Sequence, residues 1–278
     1  MTTQILVPVH TYPDHNSDPA AVHALAIAKH LEADLDILIH VVAFPDTATF
    51  LGRMVARDPS LLPELRRDCR THGSAFLKVL ENGAAQEGVT FRTSEAEGFV
   101  TEFREAVADS ARYHDLTVIG LVAGSRDMRA TAEAAIFSSG RPVIVVPEEV
   151  SPRPPEHVMI AWDGSEFAAR AVADAQDFLR MAKTVTIASV TDEKPLPGDD
   201  LDQRLSDYLA RREIRSEIVQ LRAAGLPIAD VLQAHAKSSG ADLIVMGGFG
   251  HDRVRDFVLG GATRGILGNL QVPTLLSH

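Results

Sequence analysis

The residue types and spacings best suited to chemistry lie between 241 and 276, ADLIVMGGFGHDRVRDFVLGGATRGILGNLQVPTLL. This stretch reads as a buried strand (Ala241 to Met246), a glycine turn (Gly247, Gly248, Phe249, Gly250), a linker, a second glycine pair (Gly260, Gly261), a helix and a final strand. Glycines let backbone N–H groups approach an anion with no Cβ in the way, and the first turn of a helix aims its unpaired N–H groups at it. The pattern Gly247-x2-Gly250-x9-Gly260 therefore suits phosphate. Its first cluster would lie along a ribose and the first phosphate, and Gly260, Gly261, Ala262 and Thr263 would receive the terminal phosphates. His251 is a further candidate contact. Arg253, Arg255 and Arg264 gather around the segment, either for a polyanion or as a solvated face paired with Asp252 and Asp256.

A second group, Asp163-Gly164-Ser165, follows an apolar strand and opens a helix. Asp163 can accept hydrogen bonds from a ribose hydroxyl or an adenine amino group. It, or Ser165, can equally cap the helix N-terminus. Other chemistries lack their residues. Ser165 has no histidine and acid spaced to make a triad, no GxxxxGK[ST] phosphate loop occurs, and no GxGxxG follows either first strand. His10, Asp14, His15 and Asp18 resemble metal ligands in type, but they fall in a proline-containing loop with no second cluster to complete a shell. No catalytic or metal-binding residue is assigned.

The elements that would position these groups come as a repeat. The strands QILVPV (Gln4 to Val9) and HVMIAW (His157 to Trp162) each lead to an alanine-rich helix, Ala20 to Leu31 and Glu166 to Ala182. Buried strands follow, Asp34 to Val42 and Thr184 to Val190, and then Val89 to Thr93 and Ser216 to Leu221. Helices near Gly98 to Tyr113 and Pro227 to Ser239 precede the strands DLTVIG (Asp115 to Gly120) and DLIVMG (Asp242 to Gly247), and RPVIVVP corresponds to VPTLLS at the close. Continuous apolar strands alternating with helices predict parallel sheets covered on both faces. The expected fold class is α/β, with two doubly wound five-stranded parallel-sheet domains in tandem, Rossmann-like, over 1–150 and 151–278. The proline-rich SPRPPEH (Ser151 to His157) links them. In such sheets ligands lie beyond the carboxyl ends of the strands where strand order reverses, which brings Trp162 to Ser165, the residues after Val190, and Met246-Gly247 to one crevice.

The first half departs from this at the same positions. In place of Asp163-Gly164-Ser165 it has His10-Thr11-Tyr12, then Pro13 and Asp14, and GLVAGSRDMRATAEAAIFSSG (Gly120 to Gly140) has no glycine pair at the nine-residue interval. Gly124-Ser125 with Arg126 and Arg129 reads as a site for a different anion or as a surface loop.

Composition sets limits. A net charge of −11 argues against nucleic acid and anionic membrane as partners. No apolar run approaches ~18 residues and no leader-like N-terminal pattern is visible, so a cytoplasmic location is expected. Cys69 is the only cysteine, which excludes an intrachain disulfide.

The tandem plan, Asp163-Gly164-Ser165 and Gly247-x2-Gly250-x9-Gly260 resemble the tandem two-domain kind of universal stress protein. The plan covers essentially the whole chain, the glycine signature only its second half. The resemblance implies an adenine nucleotide (ATP, ADP or AMP, with or without magnesium), a role in stress response or signalling, and at most slow ATP hydrolysis. It implies that Ala161 and the backbone near Val190 border the adenine, with Met246 beside the nucleotide. Gly248 belongs to the same turn. Nucleotide-binding members carry serine or threonine just after the last motif glycine, where this chain has Gly261. Single-domain relatives pair, so the resemblance implies either a homodimer or a pseudo-dimer within one chain. The alternative is a nucleotide-free interaction scaffold with a relic glycine loop.

Overall fold

Runs such as Leu116–Leu121 (LTVIGL) and Val143–Pro147 (VIVVP) carry no outward polar set, so they are stable only where both faces of a sheet are covered. A computed structural model describes residues 2–43, 62–148, 152–192, 200–248, 250–251, 258–259 and 261–278 and places both strands fully out of solvent. The first half runs β1 (Gln4–Val9), α1 (Asp18–Leu31), β2 (Asp34–Val42), α2 (Leu62–Glu87), β3 (Phe91–Gly98), α3 (Val100–Ala111), β4 (Leu116–Leu121), α4 (Arg126–Ser138) and β5 (Val143–Pro147). The second runs β6 (His157–Ala161), α5 (Glu166–Asp174), α6 (Gln176–Met181), β7 (Thr184–Val190), α7 (Leu201–Ala210), β8 (Glu217–Leu221), α8 (Ile228–Ser239), β9 (Leu243–Gly247), β10 (Gly250–His251), β11 (Val258–Leu259), α9 (Gly261–Gly268) and β12 (Thr274–Ser277).

The chain is α/β, as the alternation predicts, and each half supplies five strands to its main sheet, β10 and β11 forming a separate ladder. The main sheet is ten-stranded, in the order β3-β2-β1-β4-β5-β12-β9-β6-β7-β8. Within this sheet pairing is parallel inside each half and antiparallel only where β5 meets β12, with Leu275 opposite Ile144. Equivalent strands pairing antiparallel relate the halves by a pseudo-twofold, the arrangement of an isologous dimer inside one chain. The strand ends of the two halves therefore point to opposite margins of the sheet. Strand order reverses between β1 and β4 in one half and between β6 and β9 in the other, so each half has its own crevice.

Helices close both faces. Against Ile5, Ile37, Val158 and Ile187 pack Leu25, Phe76, Leu80, Val172 and Phe178 from α1, α2, α5 and α6. On the other face Phe103, Met128 and Ile136 of α3 and α4 share a cluster with Met246 and with Ile266 of α9. The single helix expected over Glu166 to Ala182 is broken at Ala175. There the Gln176 Nε2 donates to the Val172 carbonyl at 3.0 Å, the acceptor that the Gln176 amide would use in an unbroken helix. Burial pushes the Cys69 thiol up from its ordinary value, partly opposed by the Thr11 side chain. Such a thiol is a packing residue and a poor nucleophile.

Candidate functional site

In the second half, β6 runs on by one residue, with the Trp162 amide donating to the Ala188 carbonyl at 2.8 Å. The chain then turns sharply at Gly164, whose φ of 74° lies in the left-handed region that glycine enters without a Cβ penalty. Ser165 caps α5, its side chain accepting the Ala168 amide at 3.1 Å. One carboxylate oxygen of Asp163 accepts the Ser165 amide at 3.0 Å, and the side chain is exposed. Capping and ligand contact are therefore compatible roles for Asp163: one oxygen holds the turn while the residue stays exposed.

Ala161 and Val190 are half-buried at the ends of neighbouring strands. The segment after Val190 is fixed by Asp192, whose carboxylate accepts the amides of Ala223 at 2.6 Å and Ala224 at 3.0 Å. These backbone hydrogen bonds hold its carboxyl below the usual range. Nothing in the spacing of the sequence marks Asp192, because its partners lie some thirty residues further on.

The end of β9 is packed more tightly than its glycines suggest. A Cβ on Gly247 would stand 2.7 Å from the Ala168 amide nitrogen and from Phe167, so β9 reaches the crevice in direct contact with the first turn of α5. The Gly248 amide donates to the Ser277 carbonyl at 2.7 Å, and a Cβ there would meet Ile136 of the first half at 3.0 Å. The Met246 side chain, 5% exposed, lies in the cluster shared with α3 and α4. Gly250 and His251 form a short ladder with Val258 and Leu259, so the excursion between the glycine groups leaves and returns as a hairpin. Gly260, Arg253 and Arg255 lie outside the described residues. Gly261 opens α9, exposed, with nothing within 4 Å of its would-be Cβ. Ala262 is half-buried and Thr263 fully buried. The backbone of the first turn of α9 and the Gly261 position are thus the parts of that segment that face out.

Sequence reasoning missed an aromatic group beside this crevice. His278 stacks on Phe167 with ring centroids 4.9 Å apart and meets the edge of Phe137 at 5.1 Å. Phe137 belongs to the first half, and no periodicity in the second half signals it.

The first-half crevice is filled. Asn16 Oδ1 accepts the His10 amide at 2.8 Å, while its Nδ2 donates to the Gly120 carbonyl at 3.2 Å and to Glu148. Glu148 also accepts the Ser17 amide at 2.8 Å. Behind them His10 and His40, each 1% exposed, pack on Phe103, with centroids 5.0 and 4.4 Å from its ring. Burial, with the neighbouring His40, lowers the His10 pKa to about 3. His15 stacks on His72 at 3.6 Å instead of turning toward His10. Among the described residues no group of three or more His, Cys, Asp or Glu is placed to hold a metal ion.

Two doubly wound halves, each with a crevice at its strand-order reversal, define a Rossmann-like α/β tandem. The sequence profile of the universal stress protein family matches residues 155–278, the second half of the chain. Among solved structures, a universal stress protein from Archaeoglobus fulgidus is similar over 98% of this chain and 97% of its own, at 18% identity and a TM-score of 0.67. A protein of unknown function from Pseudomonas aeruginosa is similar over 98% and 92%, at 16% identity and a TM-score of 0.57. These likenesses establish a shared fold across both halves. No curated protein matches the chain in sequence. Among the described residues no helix is long and apolar enough to cross a membrane.

Proposed function

We propose that the chain is a cytoplasmic stress-response or signalling protein of two domains, 1–150 and 151–278, in which the second binds one adenine nucleotide, ATP, ADP or AMP. The observation that supports this is the close contact of Gly247, at the end of β9, with the first turn of α5 directly after the exposed Asp163 turn, at the reversal between β6 and β9. In this reading Asp163 accepts from the ribose or adenine. Ala161 and Val190 border the base, and Met246, Gly247, Gly248 and Gly250 shape the floor. Gly260, Gly261, Ala262 and Thr263 offer backbone N–H groups to the phosphates, with His251 alongside and magnesium an optional companion. No residue is assigned to catalysis, and hydrolysis, if present, is slow.

Calorimetric titration of the whole chain with ATP is expected to give one site. Asp163→Ala is expected to weaken it about tenfold, the size of one hydrogen bond involving a charged group, at a stability cost of about 1 kcal/mol for the lost turn hydrogen bond. Two equivalent sites, or indifference to Asp163→Ala, defeats the proposal. The packing of Gly247 and Gly248 against Phe167, Ile136 and Ser277 favours the second reading, a nucleotide-free scaffold whose glycines serve the fold. Absence of any thermal shift in millimolar ATP selects that reading.

A further inference from the structure

A different cavity lies at the other margin of the sheet. A cleft of about 740 Å³ opens between the halves, bounded by the segment after β4, the start of α4, the end of β5, the last turns of α8 and α9 and the approach to β12. Its walls include Val122, Leu270 and Pro273, and four cations line it: Arg126, Arg129, Arg153 and Lys237. They come from the first half, the linker and the second half, so the cleft exists only in the joined molecule.

The cleft also contains acids, whose charge its cations must outweigh. Glu148 is turned inward to Asn16 and the Ser17 amide. Asp242 accepts the His157 amide at 3.0 Å. Arg129 is bound to Glu133 at 2.8 Å, yet its Nη1 lies only 3.7 Å from the would-be Cβ of Gly268, so the guanidinium spans from one half to the other. Among the described residues Lys237 donates only to the neutral Gln271, at 3.2 Å. Arg126 and Arg153 are exposed and have no partner among the described residues. The helix C-termini that face the cleft bring carbonyls, but the Ala236 carbonyl accepts the Ala241 amide and the Asn269 carbonyl accepts Gln233 Nε2, both at 2.8 Å. The four lining cations outnumber Glu148, Asp242 and the Glu133 that pairs with Arg129, so the cleft is positive in a protein whose net charge is −11.

We propose that this cleft between the halves is a second ligand site, separate from the nucleotide crevice, which takes a small soluble molecule bearing two or more phosphate groups. Guanidinium groups from different segments suit several phosphate oxygens at once, where a single carboxylate would engage only one of them. The volume falls in the range of small-molecule sites, and the apolar wall accommodates a carbon skeleton beyond the phosphates.

The probe is inorganic pyrophosphate, titrated calorimetrically into the full chain at low ionic strength. Arg126→Ala and Arg153→Ala are each expected to weaken binding about tenfold. Both are exposed and unpartnered, so the fold survives, as circular dichroism checks. Arg180→Ala, an exposed arginine of α6, is expected to leave the affinity unchanged, and so is Asp163→Ala, which reports on the nucleotide crevice. Absence of pyrophosphate binding, an equal loss in Arg180→Ala, or dependence on Asp163 in place of Arg126 and Arg153 overturns the proposal. Because Asp163 and the two arginines are read separately, failure here leaves the nucleotide reading standing, and the reverse also holds.

Discussion

In the first half the space beyond β1 and β4 is occupied by the protein's own side chains: Asn16 and Glu148 bridge the strand ends, and His10, His40 and Phe103 fill the depth. In the second half the equivalent strand ends hold a short turn and an exposed aspartate. Yet one residue is the same in both. Gly120 is the penultimate residue of β4 and Gly247 the last of β9, and a Cβ on either would stand 2.7 Å from the first helix of its half, at Ala20 or at Phe167 and Ala168. The glycine at the end of this strand is thus required by close strand–helix approach in a half that has kept its crevice and in one that has filled it. What separates the two is the residue set around it: small and open in one case, bulky and hydrogen-bonded in the other.

The sharpest way to break this comparison is to empty the filled crevice. Phe103 is 1% exposed and supports both histidine rings. Phe103→Ala is expected to destabilise the protein by about 3–5 kcal/mol in chemical denaturation, as for other large-to-small changes in a core. A loss below about 1 kcal/mol would mean that the aromatic cluster is not what closes the first half.

Next in size is the shared glycine. Overpacking costs about 1–3 kcal/mol, and Gly247→Ala is expected near the upper end because its new methyl meets backbone atoms. Gly120→Ala meets Ala20, Asn16 and Glu148 side chains, part of which can shift, and is expected to cost less. Equal and negligible losses in both would return Gly247 to a purely ligand-binding role.

The third test uses charge. A histidine ordinarily titrates near 6.5, and burial holds His10 near 3 in the folded state. Between these values the unfolded chain binds the proton and the folded one resists it, so this contribution to stability is complete above pH 6.5 and declines as pH falls toward 3. By pH 5 the loss from His10 is about 2 kcal/mol. His10→Phe keeps a ring against Phe103 but removes the titration, so its unfolding free energy is expected to fall less between pH 7 and pH 5 than that of the wild type. Parallel pH profiles would exclude His10 as the source.

These effects show how far the sequence could be read. The inner strands were legible because each is a run of apolar residues that makes sense only inside a covered sheet. The edge strand β3 was not, beyond its first residues: Phe91–Gly98 continues as Ser94, Glu95, Ala96 and Glu97, whose side chains need no burial at an edge and so leave no apolar run. The fusion of two sheets through β5 and β12 was also hidden, since periodicity shows that a strand is buried but not which strand lies beside it. At the candidate site the glycines and Asp163 stood out by type and spacing, whereas Phe137, Asp192 and the Asn16–Glu148 bridge depend on contacts between distant segments. His10 was visible as a possible ligand type. Its burial beside His40 and Phe103 came only with the fold.

The smallest expected effect sharpens the comparison most. Gly261 stands where nucleotide-binding universal stress proteins carry a hydroxyl, and three features make it an open position: it is exposed, its φ is not left-handed, and nothing lies within 4 Å of a Cβ built on it. Gly261→Ser should therefore fold as the wild type does, and a serine at a helix start is if anything favourable. If the second crevice receives phosphate at the start of α9, the added hydroxyl contributes about 1 kcal/mol, and ATP is expected to bind several-fold more tightly in calorimetry. The same change far from a phosphate would leave affinity untouched. An unchanged dissociation constant would then mean that α9 does not receive the phosphates, whatever role Asp163 retains, and a gain confined to ATP and ADP over AMP would place the terminal phosphates there.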